Sequence, residues 1–210
     1  MRKPVIILAV FLVIGFLGYT ALSGSKEKAS TKIAISAEER GILDETLDDM
    51  KQKAASYDEN YQSLAMSRAA SELAEDMLGA ADDQKKLETA AGVFAGYMVR
   101  NTMGLKNYCG EKGVDVSAFT DAFKAQHDDI AKVAEKYYVI ENQMQAVYNE
   151  MHETLAQMID QEMRDVASMM GYKNNAQSCQ WMNDNAQNVL QHARFEKAIP
   201  SAFAVLDGAK

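Results

Sequence analysis

The chain has 210 residues, 22 basic against 30 acidic side chains for a formal charge of −8, and only two prolines and two cysteines. That length suits one domain of ordinary size. Removing residues 1–25 takes away Arg2 and Lys3 and no acid, and no stripe of Lys and Arg interrupts the remaining acidity; such a surface repels phosphate backbones, which excludes nucleic acid as a partner.

Arg2 and Lys3 open the chain, and no charge follows until Lys26. The apolar run Val5–Leu22 is about 18 residues, longer than the roughly 7–15 of a cleaved signal and just short of the roughly 20 of a spanning helix. Ala21-Leu22-Ser23 sets small residues where a signal peptidase reads, so cleavage after Ser23 competes with retention as an anchor. No cysteine follows the run, which excludes a lipoprotein. The two cations hold the N-terminus inside. Either reading places residues 26–210 in or facing a bacterial periplasm, tethered to the inner membrane through residues 4–22 or released from it. The expected divisions are a signal or anchor over 1–25, a polar linker over 26–35, a helical bundle over 36–200 and a tail over 201–210.

Ser36 and Glu39 form a capping box. Leu43, Leu47, Met50, Ala54, Tyr57, Tyr61 and Leu64 then recur at spacings of four and three, which predicts a helix. It continues through Ala69, Leu73 and Met77 to Gly79 as one rod or two collinear pieces, with a bend near Asp58–Asn60. Asp82 or Asp83 caps a second helix, with Leu87, Ala91, Phe94, Met98, Asn101, Leu105 and Tyr108 on its stripe and Gly110 and Gly113 at its end. Asp115 or Ser117 caps a third. From Val114 to Met170 there is neither Gly nor Pro, and Val133, Tyr137, Met144, Val147 or Tyr148, Met151, Leu155, Met158, Val166 and Met169 keep the helical period. The expected interruption lies at His127–Asp129, where Asp128 or Asp129 would cap a new helix. A last helix spans Ala176–Lys197, with Met182, Ala186, Val189 and Ala193 inward, and Pro200 ends it. No period-two alternation occurs after residue 25. The fold class is therefore all-α, an antiparallel bundle of long amphipathic helices behind an N-terminal signal or anchor helix.

Cys109 and Cys179 are the two thiols. Export puts them in an oxidising space, where an even count favours a bridge. A straight helix over Ser117–Met170 would span about 80 Å, whereas bridged Cα atoms lie within about 7 Å, so an intramolecular Cys109–Cys179 bond requires this region to fold back. That bond is the reading adopted over an intermolecular bridge or free thiols. A thiolate metal site lacks CxxC or CxxH spacing.

The histidines His127, His152 and His192 lack the Glu-x-x-His pairs of a di-iron bundle, because Lys124, Asn149 and Val189 precede them by three. Each reads as a surface or satisfied interhelical histidine. Met144, Met151 and Met158 stand one heptad apart; thioethers bind copper, but this repeat marks a buried stripe. Tyr57, Tyr61, Tyr137, Tyr138 and Trp181 read as core with polar tips, with a ligand pocket as the sharper alternative. The acidic pairs Asp44-Glu45, Asp48-Asp49 and Asp82-Asp83 read as solvated faces and caps. No catalytic or cofactor-binding motif, neither Gly-x-Ser-x-Gly, HExxH, P-loop nor GxGxxG, occurs. The plan is loosely similar to membrane-anchored periplasmic helical bundles such as chemoreceptor sensor domains, which carry a second span; no second apolar run follows here. The function expected is a binding or structural module for a protein partner or a homodimer. A small-ligand or metal-binding bundle and a chaperone-like protein are the alternatives, and an enzyme is the least supported.

Overall fold

The computed structural model describes residues 37–137 and 140–210, and their regular structure is helical throughout, without strands. The apolar run 5–22, the linker and Ser36 lie outside the described residues. Among those described, no helix is long and apolar enough to cross a membrane.

Helix α1 (Ala37–Ala55) and α2 (Gln62–Ala80) are neither one rod nor collinear. The chain reverses between them. Lys53 Nζ on α1 lies 2.9 Å from the Glu72 carboxylate on α2, and the Tyr57 hydroxyl donates to Glu72 at 2.7 Å. The reversal falls on Asp58-Glu59-Asn60, where the short polar side chains of Asp58 and Asn60 compete with helical hydrogen bonding. Arg68 closes it from α2, its guanidinium 4.4 Å above the Tyr57 ring.

The second expected helix is a single rod with a wide turn inside it. Asp82 caps α3 (Asp83–Met98), accepting from Lys85 N–H at 2.9 Å. A π turn over Val99–Gly104 leads directly into α4 (Leu105–Glu111). Gly113 follows at φ 76°, in the left-handed region where a side chain would strain the backbone. Residues 89–102 are buried without exception. This stretch of the rod is therefore enclosed on every face and lies at the centre of the fold.

Helix α5 (Ser117–Ala134) corrects two expectations. Its N-cap is Val116, with Asp115 accepting from both the N–H and the Oγ–H of Ser117 at 2.9 Å. It also runs through His127–Asp129 without a break. Phe119, Phe123, His127, Ile130 and Val133 form its buried face, so His127 occupies a core position. Asp128 points outward and pairs with Lys132 one turn on, which supports the helix instead of interrupting it. The break comes at residues 135–137. There the sequence enters Tyr137-Tyr138-Val139-Ile140, aromatic and β-branched side chains that lose rotamer freedom in a helix. Tyr137 is accordingly exposed and off the stripe.

Helix α6 (Ile140–Met170) runs 31 residues, and Gly171 at φ 72° ends it. The expected last helix is instead α7 (Asn175–Asp184), α8 (Ala186–Leu190) and α9 (Phe195–Ala198). Asn183-Asp184-Asn185, poor helix formers, mark the first break. Residues 201–210 are not a tail: α10 (Pro200–Asp207) buries Ala202 and Leu206 completely, with Pro200 at the first helical position where its missing N–H is harmless. Helices α2, α5, α6 and α10 pack around α3. Cys109 at the end of the rod is bonded to Cys179 on α7, Cα atoms 5.8 Å apart. That separation brings together the two ends of the chain from Cys109 to Cys179, so the intervening region does not run as one straight rod.

Candidate functional site

The π turn inserts one extra residue into the rod, a local widening frequent at functional positions. Arg100 and Asn101 lie on it, both buried. The Arg100 guanidinium donates to the Glu162 carboxylate on α6, and its other arm to Asn101 Oδ1 at 2.8 Å. Asn101 Nδ2 donates in turn to the carbonyl of Tyr97 at 2.8 Å. The ion-paired side chains are 1% and 2% exposed, so bulk water screens neither. One turn beyond Glu162, Asp165 accepts the backbone N–H of Ser63 at 3.0 Å and the Gln161 amide at 3.0 Å. Rod, α6 and the start of α2 are thereby joined by one polar cluster. Burial raises the Glu162 carboxyl above its ordinary range; Arg100 opposes this and Asp165 reinforces it.

A second centre surrounds His127. Its ring lies 4.4 Å from that of Phe123, 5.5 Å from Tyr97 and 6.3 Å from Phe94, centroid to centroid. Nδ1 is 2.9 Å from the Phe123 carbonyl and Nε2 is 3.2 Å from the Phe195 backbone nitrogen. A backbone N–H can only donate, so Nε2 accepts and Nδ1 carries the proton. The neutral imidazole satisfies both neighbours, and burial holds its protonation below the ordinary value.

The third cluster borders the disulfide. Tyr108 donates to Asp160 at 2.5 Å, Asn175 donates to both, and Arg164 pairs with Asp160 at 2.7 Å. Burial and the Asp160 carboxylate raise the Tyr108 phenol, while Tyr108 and then Arg164 hold Asp160 below the usual carboxylate range. A hollow of about 40 Å³ opens beside it, lined in part by Glu111, Tyr148 and His152. A cleft of about 170 Å³ between α1 and α2 is lined in part by Lys51, Tyr57, Glu59 and Met66. Small-molecule sites usually enclose about 300–1,000 Å³, so each of these has room for ions, waters or one side chain of a partner.

The residues singled out in the sequence are scattered. His152 and His192 are exposed, far from the buried His127 in character. Met151 is buried and Met158 half-buried, while the side chain of Met144 lies outside the described residues. Of the aromatic set, Tyr57 alone lines the larger cleft; Tyr61 precedes α2, Tyr137 is exposed, Trp181 is half-buried on α7 and Tyr138 lies outside the described residues. Asp48 pairs with Lys51 on a solvated face and Asp82 caps α3. Among the described residues, no group of three His, Cys, Asp or Glu is placed to hold a metal. The Arg100–Glu162 pair escaped the sequence reading, although a signal exists. Glu162 falls in the apolar series Leu155, Ile159, Glu162, Val166, a carboxylate at a core register position. No family model, curated protein or solved structure matches the chain.

Proposed function

We propose that the chain is an exported, membrane-tethered antiparallel helical bundle that works as a binding or structural module for a protein partner or a second copy of itself. The Cys109–Cys179 bond carries this reading. Such bonds persist in oxidising compartments, and the apolar run Val5–Leu22 behind Arg2 and Lys3 is a route to one. The inward chemistry supports the second half of the reading. Arg100, Glu162, Asp165 and His127 engage one another or the backbone and hold helices together. Tyr137 and Met170 are exposed, and Tyr148, Trp181 and Phe203 are half-buried on the outside. Aromatic and Met side chains of this kind are what protein interfaces concentrate.

The test is fractionation of cells expressing the full chain, followed by intact mass under non-reducing conditions with thiol alkylation. The expected result is a membrane-bound chain, two hydrogens lighter than its reduced mass and refractory to alkylation, that crosslinks in cells to itself or to one partner. A cytosolic chain with two alkylated thiols would sink the proposal.

A further inference from the structure

The C-terminal arm, residues 191–207, is attached to the body through an unusual contact. Its α9 begins with Phe195, whose side chain is buried against Phe94 and Tyr97, ring centroids 5.0 and 5.3 Å away. The backbone N–H of Phe195 is a helix-start donor, which needs a partner outside its own helix. That partner is the imidazole Nε2 of His127, on α5, at 3.2 Å. The same ring is fixed from behind, because Nδ1–H donates to the Phe123 carbonyl at 2.9 Å. Among the described residues, the other side-chain ties of the arm to the body do not titrate: Gln126 donates to the Ala193 carbonyl at 3.0 Å and Ser71 to the Ala198 carbonyl at 3.4 Å.

We propose that His127 is an acid-sensitive latch: a protonated imidazole cannot accept the Phe195 N–H, so acid loosens the arm 191–207 from the aromatic centre. A second proton on the ring sits on Nε2, where two N–H groups then face each other across 3.2 Å. The ring cannot rotate to a better partner, because Phe123, Tyr97 and Phe94 enclose it. The cheapest relief is displacement of the arm, which would let the imidazolium reach water. Movement of the arm uncovers Phe195, Ile199, Ala202 and Leu206, all fully buried in the closed form, together with the groove between α3 and α5 that they fill. The charged and titratable groups bearing on His127 are few. Glu196 on the arm favours its protonation and Arg194, also on the arm, opposes it. Tyr97 faces it from the rod, and on α5 itself the neighbouring Asp128 and Asp129 are exposed. The latch requires nothing of the export proposal, since it depends on contacts within the fold.

The experiment is amide hydrogen exchange on the full chain in detergent micelles at pH 7.5 and pH 5.0, corrected for intrinsic rates. An open-state imidazole of ordinary basicity, with a midpoint of about 6.5, favours opening at pH 5.0 by up to about thirtyfold. Protection of residues 191–207 should fall accordingly in the wild type and in the exposed-site control His192→Gln. His127→Gln should abolish the pH response, because a glutamine amide donates to Phe123 and accepts from Phe195 without titrating. Retention of the wild-type pH dependence in His127→Gln, or an arm equally protected at both pH values in the wild type, would overturn the proposal. If His127→Gln fails to fold, the imidazole resonances of the wild type decide: a His127 titration coincident with loss of arm protection supports the latch, and a mismatch between the two refutes it.

Discussion

Replacing Arg100 with Met would leave the Glu162 carboxylate buried without its cation. Removal of one partner from a sealed ion pair typically costs about 3–5 kcal/mol, whereas replacement of both by apolar groups of similar size is often close to neutral. Arg100→Met should therefore lower the urea midpoint sharply, and adding Glu162→Leu should restore much of the loss. A double variant no better than the single one would show that the pair is worth more than its own rescue. His127 makes a second prediction at this scale. Its protonation is depressed in the folded chain, chiefly by burial, so the unfolded chain takes up the proton first as pH falls. The stability that His127 contributes is fully present above the ordinary imidazole midpoint of about 6.5, declines below it, and levels off once pH has passed the folded value. The difference in unfolding free energy between wild type and His127→Gln, followed from pH 7.5 to 5, should trace that decline while other groups cancel. At the surface, Glu72 is held down to about 2 by hydrogen bonds from Lys53, Tyr57 and Arg68, so the turn they form should keep its contacts in mild acid.

Among the elements, the rod depends on close approach. A Cβ built on Gly104, the last residue of the π turn, meets Ile159 Cδ1 at 3.1 Å and Leu155 Cδ2 at 3.7 Å. Alanine at this position gains up to about 1 kcal/mol of helix propensity but presses on Ile159, so the two effects nearly offset. Gly104→Val adds bulk that the facing α6 cannot accept and should cost about 1–3 kcal/mol, read as a drop in the thermal midpoint with the disulfide intact. The periodic elements were legible in the sequence for a plain reason. Residues 83–111 and 140–170 repeat their apolar positions over several turns, so the stripe survives local exceptions. The π turn left no trace in that stripe because Asn101 continues the register from Met98 to Leu105. The expected break at His127–Asp129 failed because two consecutive aspartates read equally well as a cap or as a solvated face. His127 on the opposite side was the discriminating residue. Helices α8, α9 and α10 are four to eight residues long, too short to display a period, and Pro200 reads as a stop as readily as a start.

At the scale of the molecule, the pairing of Cys109 with Cys179 was legible because only one intramolecular pairing existed, and it constrained the intervening chain to double back. The buried cluster was less legible, since Arg100 and Glu162 stand 62 positions apart and nothing local couples them. Closing a loop with a separation of 70 residues should stabilise the fold by about 4 kcal/mol by chain-entropy reasoning. Cys109→Ser with Cys179→Ser should lose about that amount in a denaturant titration. Reduction of the wild type should reproduce the loss, and an unchanged midpoint would show that packing alone sets the fold. The bond also decides how the molecule would bear tension. Pulled at its two ends, the chain passes load from Cys109 to Cys179 directly through sulfur, and α5 and α6 hang outside the line of force. Full stretching would fall short by the contour of that loop, roughly 230 Å at about 3.4 Å per residue. Among the described residues, a single-molecule trace of the oxidised chain would thus show α1 to α4, the part of α7 beyond Cys179, α8 and the arm giving way, with the chain between the cysteines released only after reductant is added.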